Sequence, residues 1–217
     1  MSSLGFAQKD SLQLGDNYAE DQLYFVISYN ELFNQPSQVK GSGFSYGLST
    51  GYIKDITLNK QGTIAVGLGV GYNFDSFNHG LKVTEVNNVV TFEVDNTLTS
   101  SQLSIHNLEF PLEIRWRTST AKKYDFWRIY AGIKFLYNLS NTFEYSDANS
   151  NQFTFKNIPN YRKLQYGLTL SAGYDEFNVN VFYGLTSIFE NATINGEEIN
   201  TKILKFGLMS FFRKLIR

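Results

Sequence analysis

The stretch from Thr63 to Phe74 constrains this chain more than any other. Every second residue gives Ile64, Val66, Leu68, Val70, Tyr72 and Phe74 on one side, and Ala65, Gly67, Gly69, Gly71 and Asn73 on the other. Alternation this strict means an extended strand with one bulky apolar face and one face of almost no volume. Glycine weakens a strand, so a face built from it needs a reason. A narrow closed barrel supplies one: small residues turn into the lumen, and large apolar ones turn outward to lipid.

The same parity recurs along the chain. A first strand over about Asp21–Asn30 carries Leu23, Phe25, Ile27 and Tyr29 outward. A second sets Phe44, Tyr46, Leu48, Thr50 and Tyr52 against Ser45, Gly47, Ser49 and Gly51. Residues Asp55–Gly62 read as a turn into the third strand. The fourth, about Leu103–Arg117, sends Leu108, Phe110, Leu112, Ile114 and Trp116 outward. After a short turn through Lys122 and Lys123, the fifth does so with Trp127, Ile129, Ala131, Ile133, Phe135 and Tyr137. The sixth runs over Lys163–Tyr174 and the seventh over Asn178–Leu185, separated only by Asp175-Glu176. The eighth ends at Phe212. The expected fold is therefore all-β: an eight-stranded antiparallel up-and-down transmembrane β-barrel with short periplasmic turns and longer extracellular loops. The barrel spans residues 21–212.

Two further regularities agree with lipid outside. At the short-turn ends of the outward faces stand Tyr52, Trp116, Trp127, Tyr174 and Phe212; at the long-loop ends stand Tyr29, Phe44, Tyr72, Phe74 and Tyr137. These are two aromatic girdles. A soluble lipocalin-like barrel would have to turn the apolar face inward, and on the order of forty large side chains exceed what eight strands enclose.

Composition excludes several classes. Charged residues are 18% of the 217 and the net charge is −1, so no field recruits nucleic acid. Cysteine is absent, which removes disulfides and thiolate metal sites. No apolar run approaches the ~20 residues of a membrane-crossing helix. No cofactor is expected. Residues 1–20 read as a signal-peptide remnant, with Gly5-Phe6-Ala7 preceding a cleavage point at Gln8, followed by a periplasmic lead-in. Residues 213–217 form a basic tail.

The inward face concentrates charge: Glu109, Glu113, Arg115, Arg117, Arg128, Lys134, Lys163 and Lys205. These groups can form a structural network that fills a narrow lumen, or line a small pore. Pro111 sits among them and removes a ladder donor. The same parity on both sides argues against a one-residue bulge at that point. The long third connection holds Leu81–Val86 and Val89–Val94 around Asn87-Asn88, a hairpin pattern. We expect a ribbon projecting beyond the rim, with Leu81, Val83, Val86, Val90, Phe92 and Val94 as a candidate partner surface. A third reading is a lipid-modifying enzyme on the outer face, using Ser104 and His106 with Glu93 or Glu109 as orienting acid.

Residues Leu108-Glu109-Phe110-Pro111-Leu112-Glu113-Ile114-Arg115-Trp116-Arg117 resemble the PorT-like outer-membrane barrel family of Bacteroidota, in which a Glu-apolar-Pro-Leu segment ends in basic and aromatic residues. Gly167–Tyr174, Tyr183-Gly184-Leu185-Thr186 and Phe206-Gly207-Leu208 fit the same pattern. The resemblance implies a bacterial outer-membrane location, accommodates Pro111, and supplies no catalytic residue. Its namesake implies a role in type IX secretion. The expected function is a non-enzymatic accessory or scaffold subunit of an envelope complex, with outer-membrane lipid and protein partners.

Overall fold

The computed structural model describes residues 22–36, 39, 43–86, 89–95, 97–118, 127–174 and 177–213. The expected leader, the turns at Asn87-Asn88, Lys122-Lys123 and Asp175-Glu176, and the tail from Lys214 lie outside these residues, as does the side chain of Val86.

The strands are β1 (Gln22–Phe33), β2 (Tyr46–Thr57), β3 (Ile64–Asn78), β4 (Leu81–Val86), β5 (Val89–Val94), β6 (Ser100–Arg117) and β7 (Trp127–Ser146). They continue as β8 (Gln152–Lys156), β9 (Leu164–Tyr174), β10 (Phe177–Gly184), β11 (Thr193–Ile194), β12 (Glu197–Glu198) and β13 (Lys202–Arg213). Eight of them close a barrel in the order β6-β3-β2-β1-β13-β10-β9-β7, sealed by pairing of β6 with β7. Every pairing is antiparallel, and the first and last strands meet where β1 and β13 align from Gln22↔Arg213 to Phe33↔Lys202. This is the up-and-down barrel expected, and closure leaves these eight strands no free edge inside the bilayer.

The two faces separate as the alternation requires. Ile27, Ile114 and Leu208 are each about two-thirds exposed, while Tyr24, Arg115 and Asn73 on the opposite face are buried. A belt of bare Leu, Ile and Val of this extent is a lipid-facing surface. At its outer end, the rings of Tyr29 and Phe44 lie 5.6 Å apart, Tyr46 and Phe74 6.1 Å, and Phe135 and Tyr166 6.2 Å. At the inner end Trp127 and Tyr174 meet edge to face at 5.5 Å, and Phe25 and Phe212 at 5.6 Å.

Glycine on β2 and β3 makes room for what the other strands point inward. A Cβ at Gly71 would collide with the Tyr24 hydroxyl and the Thr50 carbonyl, and one at Gly67 with Arg115 Cδ. Pro111 faces Gly69 in the same way, its ring where a side chain would otherwise stand. The β3–β6 ladder omits the Gly69 and Val70 pairs, which is where a proline without an N–H must interrupt it. The register itself does not shift there. It shifts between His106 and Asn107 against β7, where Leu139 is the extra residue.

β6 and β7, at 18 and 20 residues, far exceed the ~9–11 that cross a bilayer. Their excess lies on the long-loop side. There the connections fold over the barrel and bury an apolar cluster that includes Phe77, Leu103, Ile105, Phe143, Ile188, Phe189 and Ile199.

Candidate functional site: a filled lumen under a capped mouth

The lumen is built in three layers. At the short-turn end Asp55 accepts from two guanidinium groups, Arg115 Nη1 at 2.6 Å and Arg117 Nη1 at 2.5 Å, with all three side chains fully buried. Arg115 Nε also reaches Glu113 at 3.2 Å, and Arg117 Nε donates to the Gly62 carbonyl at 2.8 Å. Aromatic faces complete the layer: the Arg115 guanidinium lies 4.0 Å over the Tyr130 ring, and Arg128 lies 5.3 Å from that of Phe211.

The middle layer holds two separate ion pairs. Glu109 accepts from the Tyr24 hydroxyl at 2.5 Å and from Lys134 Nζ at 3.2 Å. Asp75 accepts from Lys205 Nζ at 2.5 Å and from Asn30 Nδ2 at 2.8 Å. From Asn73 a relay of amides crosses the wall. Asn107 donates to Asn73, Asn138 to Asn107 and Asn141 to Asn138, each at 3.1 Å. Asn141 Oδ1 then accepts the Ile158 N–H at 2.9 Å, tying the lumen to an outer loop. Four buried carboxylates therefore face five buried cations, near enough to balance for pairing to hold. Between the ion pairs, beside Glu109, Lys134 and Lys205, there is about 10 Å³ of space, room for one water.

The third layer is apolar and caps the mouth. Phe92 of β5 packs 5.1 Å from Phe189, which lies 6.0 Å from Phe143 of β7. His79, at the base of the β4–β5 ribbon, is buried with its ring edge-on to Phe143 at 5.2 Å. Its Nδ1 accepts the Leu81 N–H at 3.0 Å, and burial lowers its pKa to about 4.

Seven of the eight expected interior charges are in this lumen. Lys163 is not. It precedes β9 at the outer rim, exposed, with Nζ 5.6 Å from the Tyr137 ring. Strand parity placed it inward, but the chain bends there and the ammonium reaches water over an aromatic face. The ribbon exists with the expected strands, yet it does not project freely. Leu81, Val83 and Phe92 are buried in the cap, and Val90 and Val94 pack partly against it. Their apolar face is thus spent on the molecule itself.

Asp55 and Asp75, the two carboxylates that organise the lumen, were missed as site residues. Asp55 read as the beginning of a turn and Asp75 as the start of a loop. Both continue the inward parity of their strands, Asp55 four residues past Gly51 and Asp75 two past Asn73, and that was the available signal. Ser104 and His106 share the outward face, where the Tyr72 hydroxyl meets His106 Nδ1 at 2.5 Å and the Phe74 ring lies tilted beside it at 5.0 Å. Glu109 lies on the other side of the sheet, bonded to Tyr24 and Lys134, so it does not orient His106. Glu93 stands in the ribbon opposite Lys82.

Among solved structures, Ail, the attachment invasion locus protein of Yersinia pestis, is similar at 11% identity, with a TM-score of 0.41 over 90% of this chain and 99% of that one. Ail in complex with the heparin analogue sucrose octasulfate gives 12% and 0.39 over 90% and 99%. A mutant Rh. blastica porin gives 9% and 0.22 over 90% and 100%. No curated protein matches the sequence. Residues 6–190 match the family described as outer membrane protein beta-barrel domain, most of the chain. With its lipid-facing belt and closed eight-stranded wall, the chain belongs to that family and is a barrel of the bacterial outer membrane.

Proposed function

We propose that this barrel works from its surfaces rather than through its lumen, as a non-enzymatic, non-conducting scaffold subunit of an envelope complex. The observation that carries this reading is the filled interior. Paired ions occupy it from Asp55 to Asp75, and an apolar cap sits above them. A solute crossing it would have to part the Asp55 and Glu109 ion pairs, whose charges are costly to leave unpaired. What remains for other molecules is the extracellular structure carried on β6 and β7. The likeness of residues 108–117 to PorT-like barrels favours a type IX secretion translocon as the complex.

The test pairs two measurements. Purified protein reconstituted in planar bilayers is expected to give no discrete conductance steps. Tagged protein extracted from its own membranes in mild detergent is expected to bring down envelope proteins at fixed stoichiometry. Reproducible single-channel steps would replace the scaffold with a narrow pore. Isolation as a lone barrel would remove the scaffold reading altogether.

A further inference from the structure

At the end of the barrel's nine-stranded sheet stands β8, whose far edge nothing among the described residues pairs. β8 bonds to β7 alone, from Thr142↔Lys156 to Ser146↔Gln152, and ends the sheet. It stands well clear of the bilayer. Its partner residues on β7 begin five positions beyond Tyr137 of the outer girdle, roughly 17 Å farther along the strand.

The phase of the ladder fixes which backbone groups are available. The Asn157 N–H donates to the Asn141 carbonyl, and the Asp147 N–H to the Asn151 carbonyl. In an antiparallel pair the bonded positions alternate. Phe153 and Phe155 therefore bond inward to β7, and Gln152, Thr154 and Lys156 direct N–H and C=O groups to the open edge. Phe153 and Phe155 stack on Tyr145 at 5.0 and 6.1 Å, giving that face of the edge an apolar floor.

Both ends of the strand are held. In the β7–β8 turn, the Asn151 side-chain amide donates to Asp147 Oδ2 at 2.9 Å, and the Asn151 and Asn149 N–H groups donate to Oδ1 at 2.9 and 2.8 Å; these bonds, the side-chain amide first, hold its carboxyl below the usual range. At the other end Asn157 takes a left-handed φ of 54°, and Asn141 clamps the Ile158 N–H. Natural proteins blunt exposed edges by keeping them very short or with charges, proline or bulges. β8 is short, at five residues, and carries one charge, Lys156 at its end, but it has no proline and no register shift. An ordered edge lowers the conformational cost of adding a strand.

Resting on the scaffold reading, we propose that the β8 edge is its docking surface, and that the occupant is an extended segment of a second envelope protein added as a further strand. Apolar side chains at alternate positions of that segment meet Phe153 and Phe155, and an acidic residue meets Lys156.

Thr154→Pro tests this, because it deletes an edge-facing N–H and spares the β7–β8 ladder. Phe153→Ala is a second variant that removes floor without touching backbone. Each is expressed in the native host, extracted in mild detergent and compared with wild type by quantitative mass spectrometry. A photoactivatable residue at Gln152 reports what touches the edge in intact cells. The expected result is a crosslink from residue 152 to a short peptide of one partner, with recovery of that partner reduced about tenfold or more by Thr154→Pro. Recovery unchanged in both variants, with the complex intact, would overturn the edge while leaving the scaffold standing. Crosslinks only to a second copy of this chain would overturn the proposed occupant. Absence of any complex from wild type would remove both readings.

Discussion

Replacing Asp55 with Asn tests whether ion pairing or mere packing fills the lumen. The substitution keeps volume and removes the charge that two buried guanidinium groups share. Arg115 retains Glu113 at 3.2 Å, whereas Arg117 retains the Gly62 carbonyl. The buried set then becomes three carboxylates against five cations, from four against five. Removing one partner of a buried pair costs about 3–5 kcal/mol, and because Arg115 keeps a carboxylate the lower end, about 3 kcal/mol, is expected. Trp116 and Trp127, the two tryptophans of the chain, flank this layer on the lipid side and report unfolding by fluorescence. In vesicles, the urea midpoint should fall by roughly 1 M, given slopes of about 2–3 kcal/mol/M. Adding Arg117→Met should recover part of the loss, since it removes one of the two cations that Asp55 neutralises. Lys163→Ala, at the exposed rim, should stay within about 0.5 kcal/mol. A midpoint for Asp55→Asn indistinguishable from wild type would refute the reasoning, and so would an equal loss for Lys163→Ala.

Gly71→Ala should cost about 2 kcal/mol in the same assay, because the new methyl meets the Tyr24 hydroxyl that Glu109 holds in place. Phe92→Ala should cost about 3 kcal/mol locally, read as cleavage of the ribbon by protease added to whole cells while the barrel stays folded. Cap stability should also fall with acidity. His79 is neutral when folded, with a pKa lowered from 6.5 to about 4, so the opened state binds the extra proton. Its contribution is constant above about pH 6.5 and is lost as pH drops towards 4, by about 3 kcal/mol in all. The protection factor of the Leu81 amide, its exchange rate corrected for the intrinsic pH dependence, should fall over that window, and His79→Gln should remove the effect.

The membrane-spanning part of the fold was legible because lipid and a narrow lumen impose opposite demands on alternate residues. The pattern stops being readable where that contrast ends. Beyond Phe74 both Ser76 and Phe77 are buried, Ser76 against the Gln102 amide that donates to it and Phe77 in the cap, so β3 extends four residues past the end that alternation marks. Leu139 shifts the phase of β7, so Asn138 and Asn141 are both buried and parity alone ends the strand too soon. Asp55 and Asp75 were hidden by their chemistry: aspartate favours turns, and each stands near a strand end. The asparagine relay had no sequence signal, since its members come from three strands whose register only the closed barrel sets. For the ribbon, the hairpin was legible but its packing was not, because Leu81, Val83 and Phe92 look alike whether they meet a partner or the cap.

The glycines of β2 and β3 have a consequence for inheritance. Several interior knobs have a hole on a neighbouring or next-but-one strand: Tyr24 at Gly71, Arg115 at Gly67, Pro111 at Gly69, and Asp75 with Asn30 at Gly47. Neither half of such a pair can change size alone without a clash or a void. Among descendants of one ancestor these positions should drift as couples, a shrinking tyrosine licensing a larger neighbour. The lipid face, where any apolar side chain serves, should meanwhile wander freely.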